Sequence, residues 1–318
     1  MTGVEVHVAA NEAQPHSQQQ TKRTIVNSSA YGFCALAASQ LPELKARLLR
    51  CAAEWDGADG EDDQQVQQLR GTILLSVEGV NIRLSGTREA VDAMQRKLRG
   101  LHPALHNMEF KDSLSERLTL PRMLVKVKKE VISMGVDDVK PAEDGLAAHV
   151  SAEEFKKWLD EKKDMVVLDT RNDYEVRLGT FEKAVDLNLK SFRAFPAQVK
   201  AQLANVPKET PVVMFCTGGV RCEKASHVLL RDGHREVYQL DGGILKYFER
   251  VGGAHYRGDC YIFDDRVSLT PALAQGDAVA CFVCRSPLSR ADQQSPDYIS
   301  EKQCAYCKHG KSDFRHAQ

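Results

Sequence analysis

A run of four apolar residues that ends in a cysteine and a glycine pair most narrows what this chain can fold into. Val212-Val213-Met214-Phe215 leads into Cys216-Thr217-Gly218-Gly219-Val220-Arg221, and then into Cys222-Glu223-Lys224-Ala225-Ser226-His227-Val228-Leu229-Leu230. A short unbroken apolar run predicts a strand buried on both faces, as in a parallel sheet, and the segment after the loop predicts a helix. Cys216 then falls where a strand ends and a helix begins, so its sulfur faces N–H groups of a glycine turn and of a helix N-terminus. Those dipoles favour an anion, lower a thiol pKa and turn a small hydrophobe into a nucleophile. A cysteine that merely packs at a strand end needs neither two adjacent glycines nor an arginine closing the loop.

The neighbouring segments extend the same pattern. Ser151 with Glu154 predicts a capping box before a short helix carrying Phe155, Trp158 and Leu159. A buried strand is expected at 165–169, followed by a loop with Arg171, Asp173 and Glu175. Another is expected at 237–240, closed by Asp241-Gly242-Gly243 before a further helix. Strands alternating with helices predict a parallel sheet with helices on both faces, assigned here to 148–257. Ligands of such sheets bind outside the carboxyl ends of the strands, where Asp169 and Cys216 fall.

The first third reads differently. Strands are expected at 29–37, 72–77, 81–85 and 107–111. One helix is expected at 41–53, with apolar spacing at Leu44, Leu48, Leu49 and Ala52, and a second runs from an N-cap at Thr87 to about Gly100. Glu78-Gly79-Val80 is the turn between the middle strands, with glycine where positive φ is expected. The order β-α-β-β-α-β is that of a ferredoxin-like α+β domain, assigned to 29–115. A polar, Gln-rich tail (1–28) precedes it, read as disordered and as neither a secretory nor a transit signal. A basic connector (116–147) follows, in which Leu124-Val125-Lys126-Val127-Lys128 alternates like an exposed strand and 141–145 resembles a linker.

With 318 residues and a net charge of −1, the chain has no global attraction to nucleic acid. Charge is uneven, however. Glu54, Asp56, Asp59, Glu61, Asp62 and Asp63 make an acidic stretch. Arg117, Arg122, Lys126, Lys128 and Lys129 make a basic one, the best local candidate for RNA phosphates, although a solvated charged strand has the same composition. No apolar run approaches membrane length. Nine cysteines without a secretory leader predict a reducing, cytoplasmic setting in which thiols serve chemistry or metal. Cys281-Phe282-Val283-Cys284 and Cys304-Ala305-Tyr306-Cys307 are two such pairs, separated by nineteen residues. Two knuckles of this kind complete a closed tetrahedral site, which predicts a structural zinc in a segment (258–318) too poor in apolar residues to build a core. Cys34, Cys51 and Cys260 have no paired spacing and are read as packing residues.

Loop length limits what Cys216 can hold. Phosphate-cleaving cysteine enzymes use C-x5-R, whereas Arg221 closes a shorter C-x4-R cradle suited to a terminal sulfur or small anion. Cys216-Thr217-Gly218-Gly219-Val220-Arg221 resembles a rhodanese active-site loop, and Asp169-Thr170-Arg171 and Asp241-Gly242-Gly243 match the rhodanese pattern around it. Longer runs are similar to the oxygen-dependent tRNA uridine(34) hydroxylase family. They are Gly71-Thr72-Ile73-Leu74-Leu75, Glu78-Gly79-Val80-Asn81, Val125-Lys126-Val127-Lys128-Lys129-Glu130, the seven residues Asp169 to Glu175, Cys216 through Ala225, and Cys260-Tyr261-Ile262-Phe263-Asp264. One departure stands out: Ile82-Arg83-Leu84 occupies a place where the bacterial pattern has small residues.

The resemblance implies a ferredoxin-like domain joined to a rhodanese domain, tRNA as partner, and conversion of wobble uridine to 5-hydroxyuridine with molecular oxygen as co-substrate. It implies that Cys216 is the essential thiol, and it strengthens the case for RNA contact at Arg122, Lys126, Lys128 and Lys129. Asp169 and Arg171 are expected to pair and support the loop. Arg221 is either an anion clamp or a loop-closing residue bonded to carbonyls. Cys222 either resolves a persulfide or sulfenic acid on Cys216 or packs on a helix face. No flavin or nicotinamide motif and no evident iron site is present, so the electron donor is left open, as is oligomeric state. Two other readings stay open: a sulfurtransferase carrying sulfane sulfur as a Cys216 persulfide, and a non-enzymatic RNA-binding or redox-sensing module.

Overall fold

The computed structural model describes residues 24–55, 68–136, 138–144 and 147–310. The expected tail up to residue 23 and the acidic stretch from Asp56 to Asp63 lie outside them, as does Gly145 of the expected linker.

The first sheet holds β1 (Ile25–Phe33), β2 (Leu69–Ser76), β3 (Gly79–Gly86), β4 (Lys111–Ser115) and β5 (Met123–Val127), in the order β4-β1-β3-β2-β5. The first four form the expected ferredoxin-like arrangement, with α1 (Leu41–Ala53) and α2 (Arg88–Arg99) between them in sequence. Leu44 and Leu48 of α1 and Val91, Met94 and Leu98 of α2 share one buried core with Ile73, Leu75, Ile82 and Leu84 of the sheet. Leu49, counted with the apolar face of α1 by its spacing, points outward. The Thr87 hydroxyl accepts from the Ala90 N–H and caps α2 as its sequence predicts. Gly79 turns β2 into β3 at φ +135°, and a Cβ there would lie 2.0 Å from the Gly32 carbonyl oxygen, so only glycine fits.

Two strand assignments shift. β1 begins at Ile25, inside the expected tail, because Ile25 and Val26 are buried against the sheet. β4 starts at Lys111, where the strand at 107–111 was expected to end, after a short 3-10 turn at Pro103–Leu105. The expected connector is also divided. Met123–Val127 pairs in parallel with β2, from Gly71↔Met123 to Leu75↔Val127, and so completes the first sheet. Beyond it the chain crosses to the second domain, burying Met134 and Val139 there, and the expected linker forms a short helix, α3 (Pro141–Asp144).

The second sheet contains β6 (Ala148–Val150), β7 (Val166–Asp169), β9 (Val185–Asp186), β10 (Val212–Phe215) and β11 (Val237–Leu240), all pairing in parallel in the order β6-β11-β10-β7-β9; β8 (Gly179–Phe181) lies between β7 and β9 in sequence and outside this sheet. Side chains of β10 alternate between two cores. Val212 and Met214 join Phe195 and Val199 of α6 (Phe195–Gln202) with Ala225 and Leu229 of α7 (Val220–Arg231). Val213 and Phe215 join Phe155 of α4 (Ala152–Asp160) with Ile244 and Tyr247 of α8 (Gly243–Val251). Helices on both faces explain why this strand reads as unbroken apolar sequence. The expected rhodanese-type α/β architecture is therefore present.

The region after 258 is not uniform. Cys260–Tyr261 pairs with Ser268–Leu269, and Tyr261 and Val267 pack with Tyr174 and Leu178 of the second domain. The same stretch reaches the first domain, where the Asp265 N–H donates to the Thr119 carbonyl and Arg266 to the Ser113 hydroxyl. From about residue 281 the chain forms the four-cysteine module, whose small core joins Leu288 to Cys281, Cys284 and Cys304.

Candidate active site

Cys216 directly follows β10 with its side chain wholly buried, and the Gly219 N–H donates to its Sγ at 3.1 Å. Gly219 makes this turn at φ +102° and caps α7. Burial alone pushes the thiol up. A hydrogen bond from Cys222, the Arg221 charge and the Arg221 and Gly219 amides outweigh it and bring Cys216 well below its ordinary value. Cys222 moves the opposite way, raised by burial and by its bond to Cys216. Cys216 is therefore the member of the pair that gives up its proton the more readily. Cys222 also lies 3.7 Å from the Thr170 hydroxyl, on the face of α7 that packs into the core.

Arg221, expected either to clamp an anion or to close the loop through carbonyls, has a carboxylate as its side-chain partner among the described residues. Its guanidinium grips Glu175 of α5 (Asp173–Val176) through both terminal nitrogens, the Nη2–Oε2 contact being 2.8 Å, and both side chains are buried. The fork closes the loop, and its charge faces Cys216. Glu175 and Arg221 were each visible in sequence within longer motifs; their pairing was not. It also accepts from the Thr217 hydroxyl at 3.3 Å. Asp169 and Arg171 form a wholly buried pair, Nη2 to Oδ2 2.7 Å, and Arg171 donates to the Gly179 carbonyl while Thr180 donates to Asp169. The pair thus braces the segment leading from β7 to Glu175, one step away from the loop itself.

Asp241-Gly242-Gly243 supplies the other wall. The Ile244 and Leu245 N–H groups donate to the Cys216 and Thr217 carbonyls at 3.0 and 3.1 Å. A Cβ on Gly243 would lie 2.4 Å from the Cys216 carbonyl oxygen, and its φ is +67°. Gly218, by contrast, has open space around its Cα, and Val220 begins α7 half-buried.

The first domain also reaches this loop, which the sequence did not reveal. Lys111 of β4 donates to the Gly218 carbonyl at 2.6 Å. Tyr31 of β1 donates to Glu223 at 3.0 Å, with its hydroxyl beside Gly219. Arg83, one of the three residues that depart from the bacterial pattern, donates to the Phe263 carbonyl and lies 4.7 Å from that ring's centroid. Arg221 approaches the same ring at 5.9 Å. Arg83 thus faces the second domain. No local pattern marks these residues; only the seating of one domain on the other gathers them.

Arg122, Lys126, Lys128 and Lys129 are exposed along β5 and the turn after it. Cys281, Cys284, Cys304 and Cys307 come together as their spacing predicts, with sulfurs all within 4.8 Å of one another. Cys284–Cys304 and Cys304–Cys307 are 3.6 and 3.7 Å apart, too long for disulfides. A tetrahedral site with metal–sulfur bonds of about 2.3 Å has edges of about 3.8 Å, so these residues fit a four-thiolate metal. Cys34, Cys51 and Cys260 are buried in hydrophobic clusters.

Comparison with known proteins matches two families to different parts of the chain. A family described as the UPF0176 acylphosphatase-like domain matches residues 61–131, and the rhodanese-like domain family matches 151–250. A tRNA uridine(34) hydroxylase of Cupriavidus taiwanensis is 44% identical over 293 residues, spanning 90% of this chain and 98% of the relative. A tRNA uridine(34) hydroxylase of Burkholderia cenocepacia is 43% identical over 301 residues, spanning 91% and 99%. Among solved structures, the rhodanese-like domain of an Anabaena protein overlies 36% of this chain and 80% of its own length at 16% identity and a TM-score of 0.30.

Proposed function

The chain belongs to the tRNA uridine(34) hydroxylase family, and from that premise we propose that it hydroxylates wobble uridine of tRNA to 5-hydroxyuridine with Cys216 as the reacting thiol. One observation carries this reading beyond a rhodanese domain alone: the match to the hydroxylases spans both domains, and residues of both meet on the Cys216 loop. In this reading Cys216 acts as a thiolate, and the Gly219 and Arg221 amides, Cys222 and the Arg221 charge hold its negative charge. Molecular oxygen supplies the atom added to the base, and an electron donor reduces the second oxygen atom to water.

The finer assignments follow the same reading. Arg122, Lys126, Lys128 and Lys129 neutralise tRNA phosphates along the exposed β5 edge. The four thiolates hold a structural zinc that ties 278–310 together. Among the described residues no helix is long and apolar enough to cross a membrane, and the proposed setting is the cytoplasm, where tRNA and reduced thiols occur together.

A Cys216 persulfide remains the second reading, favoured by the buried thiolate within a C-x4-R loop. Cells grown under 18O2 separate the two. Hydroxylation predicts 18O in 5-hydroxyuridine of tRNA from cells holding the protein. Unlabelled tRNA together with thiosulfate:cyanide activity lost in Cys216→Ser would establish sulfur transfer instead.

A further inference from the structure

We propose that Lys111 is a positioning residue for Cys216, acting through a single peptide group of the active-site loop. The Gly218 carbonyl and the Gly219 N–H belong to one planar trans peptide, so they point in opposite directions. At one end the Lys111 ammonium donates to the carbonyl at 2.6 Å. At the other end the N–H donates to Cys216 Sγ at 3.1 Å. An ammonium on the carbonyl polarises the amide and strengthens its N–H as a donor, and it fixes the plane so that the N–H stays aimed at sulfur.

Lys111 is half-buried, and its burial pulls the ammonium below its ordinary pKa. Its Nζ lies 5.5 Å from the centroid of the Tyr31 ring, in the joint between the domains. Against that burial, Cys216, Asp241 and Glu109 favour the charged form, while Lys246 opposes it. Arg221 and Cys222 act on the sulfur from α7, within its own domain. Lys111 comes from β4 of the other domain. Full activation of the thiol therefore requires the first domain to be seated, which gives that domain a part in the chemistry besides any contact with RNA. Lys111 reaches the sulfur through the Gly218–Gly219 peptide, so its effect is on position and charge.

This inference concerns the same thiol as the proposed hydroxylation, but its test involves no tRNA, so either can fail while the other stands. The rate of iodoacetamide alkylation at Cys216 is followed against pH by peptide mass spectrometry, on the full chain. Lys111→Met is expected to move the alkylation midpoint upward by at least half a pH unit, roughly threefold in thiolate population below the midpoint. Lys111→Arg, which keeps a cationic donor, is expected to restore most of the shift. A folded Lys111→Met protein with the wild-type midpoint overturns the proposal. Should Lys111→Met fail to fold, the reciprocal measurement decides, because coupling between two sites is mutual. Acetic anhydride should acylate Lys111 faster in Cys216→Ser than in wild type, since the ammonium has lost its partner anion. Equal rates there also overturn it.

Discussion

Lys224 of α7 lies wholly buried 2.9 Å from Glu78, a residue of the turn between β2 and β3 in the other domain. Glu130, at the start of the crossing segment, closes on the same ammonium at 2.7 Å. Three of the sequence runs shared with the hydroxylase family end at this one point: Glu78 to Asn81, Val125 to Glu130, and Cys216 to Ala225. Glu78 also accepts from the Val131 N–H, and Asn81 donates to the Val131 carbonyl. The runs are read most simply as the joint that seats the first domain on the Cys216 loop.

Lys224→Met removes the cation and leaves two carboxylates facing a buried joint. Breaking one side of a buried ion pair costs about 3–5 kcal/mol. A clear fall in the melting temperature is expected, with Cys216 alkylation slowed as Lys111 and Tyr31 lose their seat. An unchanged melting curve would remove Lys224 from this role.

The lowered Cys216 pKa has a definite sign in its pH dependence. In the folded chain Cys216 is a thiolate in a pH range where an unfolded thiol, with pKa about 8.5, keeps its proton. Its stabilising contribution is therefore fully present above the unfolded value and is lost as pH falls through the folded one. Cys222→Ala deletes the donor from sulfur, so the alkylation midpoint should rise. A midpoint that stays in place would show that Cys222 does not hold the thiolate.

Arg221→Lys keeps a charge but not the two-pronged grip on Glu175. We expect lost stability of roughly 2–4 kcal/mol by chemical denaturation, because Glu175 is left buried with fewer donors. Wild-type stability in this variant would mean that the fork is dispensable for closing the loop.

The glycines of the site separate sharply. Gly243→Ala places a Cβ 2.4 Å from the Cys216 carbonyl oxygen at φ +67°, and about 1–3 kcal/mol of destabilisation is expected. Gly218→Ala meets nothing within 4 Å and should change stability by no more than about 0.5 kcal/mol. Comparable denaturation midpoints for the two would contradict the loop geometry.

Elemental analysis of protein purified without added metal should find one zinc per chain. Chelation should lower the melting temperature, and Cys304→Ser should abolish zinc retention. Full thermal stability after complete metal removal would exclude a structural role.

What the sequence made legible follows from local physics. β10 and β11, the cap at Thr87 and the four cysteines each leave a signature within a few residues, and Val237–Leu240 falls where alternation places it. Strand ends were less certain because pairing partners set them: β1 begins at Ile25 because Val26 to Phe33 find partners from Gly86 to Gly79 on β3. β5 read as exposed connector because one edge is free, although its other edge pairs with β2. Glu175 and Arg221 were each in view but not their pairing, since it joins two helices across forty-six positions. Tyr31, Arg83 and Lys111 carry no local sign of their place, which exists only once the two domains meet.

The most direct test is nucleoside mass spectrometry of tRNA from a host lacking the protein, complemented with either wild type or Cys216→Ser at matched expression. Wild type should restore 5-hydroxyuridine and its derivatives, and Cys216→Ser should leave tRNA bare of them. Equal restoration by both proteins would contradict the account.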